Sequence, residues 1–244
     1  MGNPTAAMLV IGDEILSGRT RDSNLHFLAR QLTDAAIDLK EARVVADDHD
    51  AIKAAVQELA ARWDHVFTSG GIGPTHDDIT ADAIADAFGR HIDVREDARA
   101  LLQAYYDRSG ITMNDSRLRM ARIPDGATLI DNPVSVAPGF TLENVHVMAG
   151  VPAVFEAMVA SVLPGIKGGA PLLSRTIRVN RPEGDIAGPL AEMAARHPKV
   201  SVGSYPFILN SRFGSNIVFR SSDTQALDAA VADFLTLMPE GFEP

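Results

Sequence analysis

The sequence predicts an α/β fold with a mostly parallel sheet over residues 1–166, followed by a small α+β domain over residues 172–244. Three observations predict it. Short apolar runs alternate with segments whose apolar residues recur at helical spacing, and strand-helix alternation of that kind builds parallel sheets. Glycines or acids stand directly after several of the apolar runs, where strand-to-helix loops belong. A stretch rich in Pro and Gly, Pro164 to Pro171, interrupts the pattern, and 244 residues suit one large domain plus a small one.

Ala6 to Ile11 is apolar throughout, as a strand buried on both faces requires. Gly12 ends it, and a loop carries Asp13, Glu14 and Gly18. Leu25, Leu28, Leu32 and Ala36 then predict a helix behind the N-cap candidates Asp22 and Ser23. Ala42 to Ala46 reads as a strand, Ile52, Val56, Leu59 and Trp63 as a helix, and His65 to Thr68 as the next strand. The loop GGIGPTHDDIT, Gly70 to Thr80, opens a helix through Ala83, Ile84 and Ala87, with Gly89 as its stop. A helix around Leu101, Leu102 and Tyr105 ends near Gly110, and Pro124-Asp125-Gly126 turns into a strand at Ala127 to Ile130. Val145 to Met148 is another strand, and Gly150-Val151-Pro152 leads into a helix through Phe155, Met158 and Val162. In the second domain, strands are expected at Ser174 to Asn180, Val200 to Tyr205 and Asn216 to Arg220. Helices are expected at Ile186 to Ala195 and Thr224 to Leu237.

Composition narrows the function. The 46% hydrophobic and 22% charged content is that of an ordinary globular chain. With 22 Lys+Arg against 32 Asp+Glu, the net charge of −10 opposes nucleic acid and anionic membranes. Cysteine is absent, which excludes disulfides, thiolate metal sites and a cysteine nucleophile and fits a cytoplasmic location. The N-terminal apolar run is too short for a signal or a membrane span.

In open parallel sheets, ligands bind beyond the carboxyl ends of the strands. Gly12-Asp13-Glu14, Asp47-Asp48, the Gly loop and Gly150-Val151-Pro152 all follow predicted strands there. Gly70, Gly71 and Gly73 let backbone amides approach a phosphate, while Thr75 and Thr80 offer hydroxyls. The loop lacks the lysine of a Walker motif and the spacing of dinucleotide folds. Carboxylates beside a phosphate make sense with a divalent cation between them, and Asp47, Asp77 and Asp78 are the candidates. The competing roles are structural: a tight turn for the glycines, helix caps for the acids. His76 reads as a solvated loop residue, and no histidine pair has metal-ligand spacing.

These residues resemble a known family. GGIGPTHDDIT, with VIGDEILSG and DSNLHFL before it and APGF and GVP after it, looks like the molybdopterin-binding-type domain over about Ala7 to Pro164. Within that superfamily it is most similar to the CinA competence/damage-inducible family and to the N-terminal domain of eukaryotic FAD synthase. The segment DIAGPLAEMAARHPKVSVGSYPF resembles the small domain that follows. The resemblance implies a three-layer α/β/α domain binding a nucleotide or pterin phosphate. It matches Asp78 and Asp47 to acids of the family; with Asp77 from the loop reading these are the catalytic candidates, and Asp47 and Asp78 are the metal candidates. Phosphate or nucleotide binding falls to Ser69, Gly70, Gly71, Gly73, Thr75, Thr80, Asp13, Glu14, Asn24, Pro138, Gly139 and Gly150. The implied activity is cleavage of a nucleotide pyrophosphate of the ADP-ribose or FAD type with Mg²⁺, Mn²⁺ or Co²⁺. The alternatives are molybdopterin binding or adenylylation, and a non-catalytic nucleotide or pterin sensor. A homo-oligomer is expected, since the family commonly forms dimers or trimers. The sequence departs from the family at Ser135-Val136, where Gly-Thr is usual, and at Ala149, where the usual residue is Pro. No amidohydrolase or FAD-synthase domain is recognisable, so neither activity is expected of these residues.

Overall fold

The computed structural model describes residues 2–209 and 212–244, which divide into two compact units, Met1–Gly169 and Ala170–Pro244. The elements of the first unit run β1 (Thr5–Ile11), α1 (Asp13–Leu16), α2 (Asn24–Asp34), β2 (Asp38–Val45), α3 (His49–Arg62), β3 (His65–Ser69) and α4 (Thr80–Ala87). They continue with β4 (Ile92–Val94), α5 (Glu96–Ser109), α6 (Asp115–Leu118), a 3₁₀ turn (Arg119–Ala121), β5 (Arg122–Pro124) and β6 (Thr128–Ile130). The unit closes with β7 (Gly139–Leu142), β8 (Val145–Met148), α7 (Pro152–Val162) and a 3₁₀ turn (Leu163–Gly165).

The central sheet has the order β2-β1-β3-β8-β7-β6. The first four strands are parallel, and β7 and β6 extend the sheet antiparallel. Alternate residues of β1 enter two separate cores, which is what period-two side chains demand of a strand covered on both faces. Ala7, Leu9 and Ile11 pack with Ile52, Val56 and Leu59 of α3, Ala83 and Ile84 of α4, and Leu102 of α5. Ala6, Met8 and Val10 pack with Leu28 and Leu32 of α2 and Phe155, Met158 and Val159 of α7. The result is the expected three-layer α/β/α architecture.

Several local readings change. Ala36 lies beyond α2 with a positive φ of 55°, so it does not extend that helix. Asp22 rather than Ser23 covers the start of α2, accepting from the amides of Asn24 and Leu25. Asp13 and Glu14 sit on a single helical turn instead of a loop. The three strands β4, β5 and β7 were not anticipated; β4 and β5 form a separate antiparallel pair.

The second unit contains β9 (Leu173–Val179), α8 (Glu183–Arg196), β10 (Ser201–Leu209), β11 (Arg212–Ser221) and α9 (Thr224–Leu237). Its antiparallel sheet has the order β10-β11-β9. Ile177, Ile217 and Phe219 meet Ile186 and Met193 of α8 and Leu227, Val231 and Phe234 of α9 in a core of its own.

Candidate functional site

The sheet order places β1 between β2 and β3, so the chain leaves β1 to one side and returns on the other. Loops after β1, β2, β3 and β8 therefore open away from one another around a crevice, the switch point where open α/β sheets bind ligands. A cavity of about 520 Å³ occupies it, within the usual range of small-molecule sites. Glu14, Asp47, Asp77 and Asp78 line it together with Gly70, Gly71, Gly73 and Gly150. An apolar side, including Ile72, Met120, Ala149 and Val151, faces the same space. No Lys, Arg or His lines it among the described residues.

The glycine loop is held by steric necessity. Gly70 and Gly71 have φ of 113° and 68°, backbone conformations that side chains disfavour. A Cβ on Gly70 would stand 2.1 Å from the Ile11 carbonyl oxygen, and one on Gly71 would stand 2.1 Å from Thr80 Oγ1. The loop runs ten residues before α4 begins, and the first amide of that helix donates to the Gly71 carbonyl at 3.0 Å. Thr75 folds the loop onto its own acids. Its amide donates to Asp78 Oδ2 at 2.8 Å, and its hydroxyl lies against both Asp78 and Asp77. Asp78 thus closes a turn within the loop and does not cap α4, whose N-terminus has no side-chain cap. The Thr75 hydroxyl, its strongest partner, holds the Asp77 carboxyl below the usual range.

Asp47 and Asp48 separate in role. Asp48 is the N-cap of α3, accepting from the Ala51 amide at 2.8 Å, the structural role weighed for the acidic cluster. Asp47 turns into the cavity and accepts from the Asp13 amide at 2.9 Å. Burial raises the Asp47 carboxyl above its ordinary value; the carboxylates of Asp13, Glu14 and Asp77 push the same way, against the Asp13 amide. Concentrated negative charge is thus a property of the site.

Other predicted residues fall behind the lining. Ser69 and Asn24 are buried; the Asn24 amide donates to Ser69 Oγ and to the Gly150 carbonyl, both at 2.8 Å, tying α2 to the loops after β3 and β8. Thr80 is fully buried with an unpartnered hydroxyl beneath Gly71, so it does not face the cavity as its place in the motif suggested. Gly139 is buried in β7, where a Cβ would meet the Val147 carbonyl oxygen at 2.4 Å; strand packing, not ligand contact, explains it. Pro138 lines a neighbouring cleft, and Asp13 and Thr75 stand outside the cavity wall. Asn132 and Met120 are among the contributors without a sequence argument. Asn132 donates to Ser135 Oγ at 2.7 Å and to the Ala137 carbonyl at 2.8 Å, shaping a loop in which Val136 has φ of 66°. Met120 enters the wall from the turn after α6.

A carboxylate-lined crevice at the switch point of a three-layer sheet is the frame of a small-molecule-binding α/β domain. The family profile described as probable molybdopterin binding domain matches residues 7–168, and that of the FAD synthase middle domain matches residues 171–243. The chain belongs to the molybdopterin-binding-domain family. A protein of Pyrobaculum calidifontis is 35% identical over 212 residues, covering 83% of this chain and 81% of that one. A probable FAD synthase of Caenorhabditis briggsae is 31% identical over 250 aligned residues, covering 92% of this chain and 48% of its own, so this chain spans about half of that relative. The solved structure of the protein CinA from Thermoplasma acidophilum is 34% identical with a TM-score of 0.61, over 66% of this chain and 97% of that one. The resemblance to the CinA and FAD synthase group is thereby established, and no helix among the described residues is long and apolar enough to cross a membrane.

Proposed function

We propose that the first unit binds a nucleotide pyrophosphate of the ADP-ribose or FAD type and hydrolyses it with a divalent cation. The observation that carries this reading is the cavity itself, where four carboxylates share one space with a glycine loop and, among the described residues, no cationic side chain. A phosphate entering such a site is repelled unless a metal ion intervenes. Among the described residues no group of three His, Cys, Asp or Glu side chains could hold an ion alone. Mg²⁺ commonly takes one or two carboxylates and completes its shell with water and substrate phosphate. Asp47 and Asp78 would hold it. When bound, the cation supplies neutralising charge and polarises a phosphoryl oxygen.

The rest is the work of the chain. The loop from Gly70 to Gly73 presents backbone to the phosphate, and the start of α7 at Gly150 to Pro152 adds the positive end of a helix. The apolar side accepts a planar ring. Hydrolysis joins a water oxygen to one phosphorus while the bridging P–O bond breaks; the bridging oxygen leaves on the second phosphate, and the proton of the water passes to the carboxylate cluster. ADP-ribose gives AMP and ribose 5-phosphate; FAD gives AMP and FMN. Incubation with either compound and Mg²⁺, Mn²⁺ or Co²⁺ is expected to release AMP, and the absence of release with every pairing overturns the proposal.

A second reading, adenylylation of molybdopterin, is favoured by the profile that matches residues 7–168. It is distinguished by transfer of AMP from ATP to molybdopterin in place of AMP release from a dinucleotide.

A further inference from the structure

The parallel pairing of β3 with β8 ends at Ser69 and Met148, and one more backbone bond follows, from the Gly70 amide to the Met148 carbonyl at 3.1 Å. Past that point the Asn24 side chain joins the two loops. From the first turn of α2 its amide nitrogen donates to Ser69 Oγ and to the Gly150 carbonyl, both at 2.8 Å. Asn24 is 4% exposed, and its Oδ1 has no partner among the described residues. An orphaned buried acceptor costs about 1–3 kcal/mol, so the two donor contacts persist despite a penalty.

Holding the Gly150 carbonyl fixes the next amide as well. Among the described residues no peptide bond is cis, and in a trans peptide the C=O and the following N–H point to opposite sides of one plane. The Gly150 carbonyl faces Asn24, which is not part of the cavity wall. The Val151 N–H therefore faces the other way, and both Gly150 and Val151 line the cavity. This N–H has no acceptor among the described residues. Ionised carboxylates in the same wall only accept, so a free backbone donor there is the kind of group an anionic oxygen requires.

We propose that Asn24 is a positioning residue: by holding the Gly150 carbonyl it aims the Val151 amide at a phosphate oxygen of the bound nucleotide. The assignment rests on the pyrophosphate reading above and adds which backbone donor meets the phosphate and what orients it. Without Asn24 the peptide unit between Gly150 and Val151 is free to rotate and turn its carbonyl toward the anion.

Val151 has φ of −63°, the value proline requires, so Val151→Pro removes the N–H and suits the backbone. Calorimetric binding of ADP with Mg²⁺ to the full chain, in Asn24→Ala, Val151→Pro and the double variant, tests the assignment. Each single variant is expected to bind ADP about tenfold more weakly, the loss of one hydrogen bond to a charged group. The double variant is expected to match the singles to within about threefold, because both changes act through one N–H. A loss of about a hundredfold in the double variant makes the two residues independent and overturns the inference. Unchanged affinity in either single variant also overturns it and leaves the pyrophosphate reading standing; an Asn24 that only supports the fold would lower stability without moving affinity. If the unaltered protein does not bind ADP, both fall. Should Asn24→Ala fail to fold, Asn24→Asp, which keeps the size and sets an acceptor against the Gly150 carbonyl, takes its place in the same cycle, and the same outcomes decide.

Discussion

Replacing Gly71 by Ala tests how the loop is built. The new Cβ lies 2.1 Å from Thr80 Oγ1 and 3.1 Å from Thr80 Cβ, on a residue with no exposed surface, and the backbone φ is 68°. Left-handed backbone costs an alanine about 1–2 kcal/mol. Overpacking against a buried side chain adds about 1–3 kcal/mol, for a total of roughly 2–5 kcal/mol. The two parts separate because Thr80→Ala removes the clashing hydroxyl and leaves the backbone strain. Urea unfolding of both single variants and the double variant forms a cycle. The double variant is expected to be more stable than the sum of the singles by about 1–3 kcal/mol. Additivity to within about 0.5 kcal/mol would mean that Gly71 and Thr80 are not packed together, and the steric account of the loop would be wrong.

Two further outcomes follow from the same physics. Asp78→Asn keeps an oxygen able to accept from the Thr75 amide, so stability should fall by less than about 1 kcal/mol; an unfolded Asp78→Asn protein would mean that the charge itself holds the loop. In β8, His146 contacts Thr141 Oγ1 and His65 Nδ1, and burial first, then the His65 charge, lowers its pKa from 6.5 to about 4. The folded protein then binds fewer protons than the unfolded chain, so this contribution is complete above pH 6.5 and is lost as pH falls toward 4. The loss is at most about 3 kcal/mol, and urea unfolding should show His146→Gln losing less stability than the unaltered protein across that window; parallel losses would contradict it.

The alternating apolar segments made the layered fold legible, and α9 spans the residues expected of it because an amphipathic helix repeats its signal over several turns. The short strands β4 and β5 have three residues each, too few for periodicity to register. β2 begins at Asp38 rather than Ala42, because an edge strand tolerates the charged residues Asp38, Lys40 and Glu41. In the site, Gly70, Gly71 and Asp47 were visible as loop residues after strands. Thr80 misled because a motif records a hydroxyl and not its burial. Asn24 joins residues 45 and 126 positions away, a relation with no local trace.

The central claim is tested most directly by AMP release from ADP-ribose with added Mg²⁺, Mn²⁺ or Co²⁺, after chelation, and on return of the cation. The unaltered protein is predicted to release AMP only when the cation is present, and Asp47→Asn and Asp78→Asn to stay folded while release falls at least about a hundredfold. AMP release that continues after chelation, or at full rate in both variants, would contradict the account.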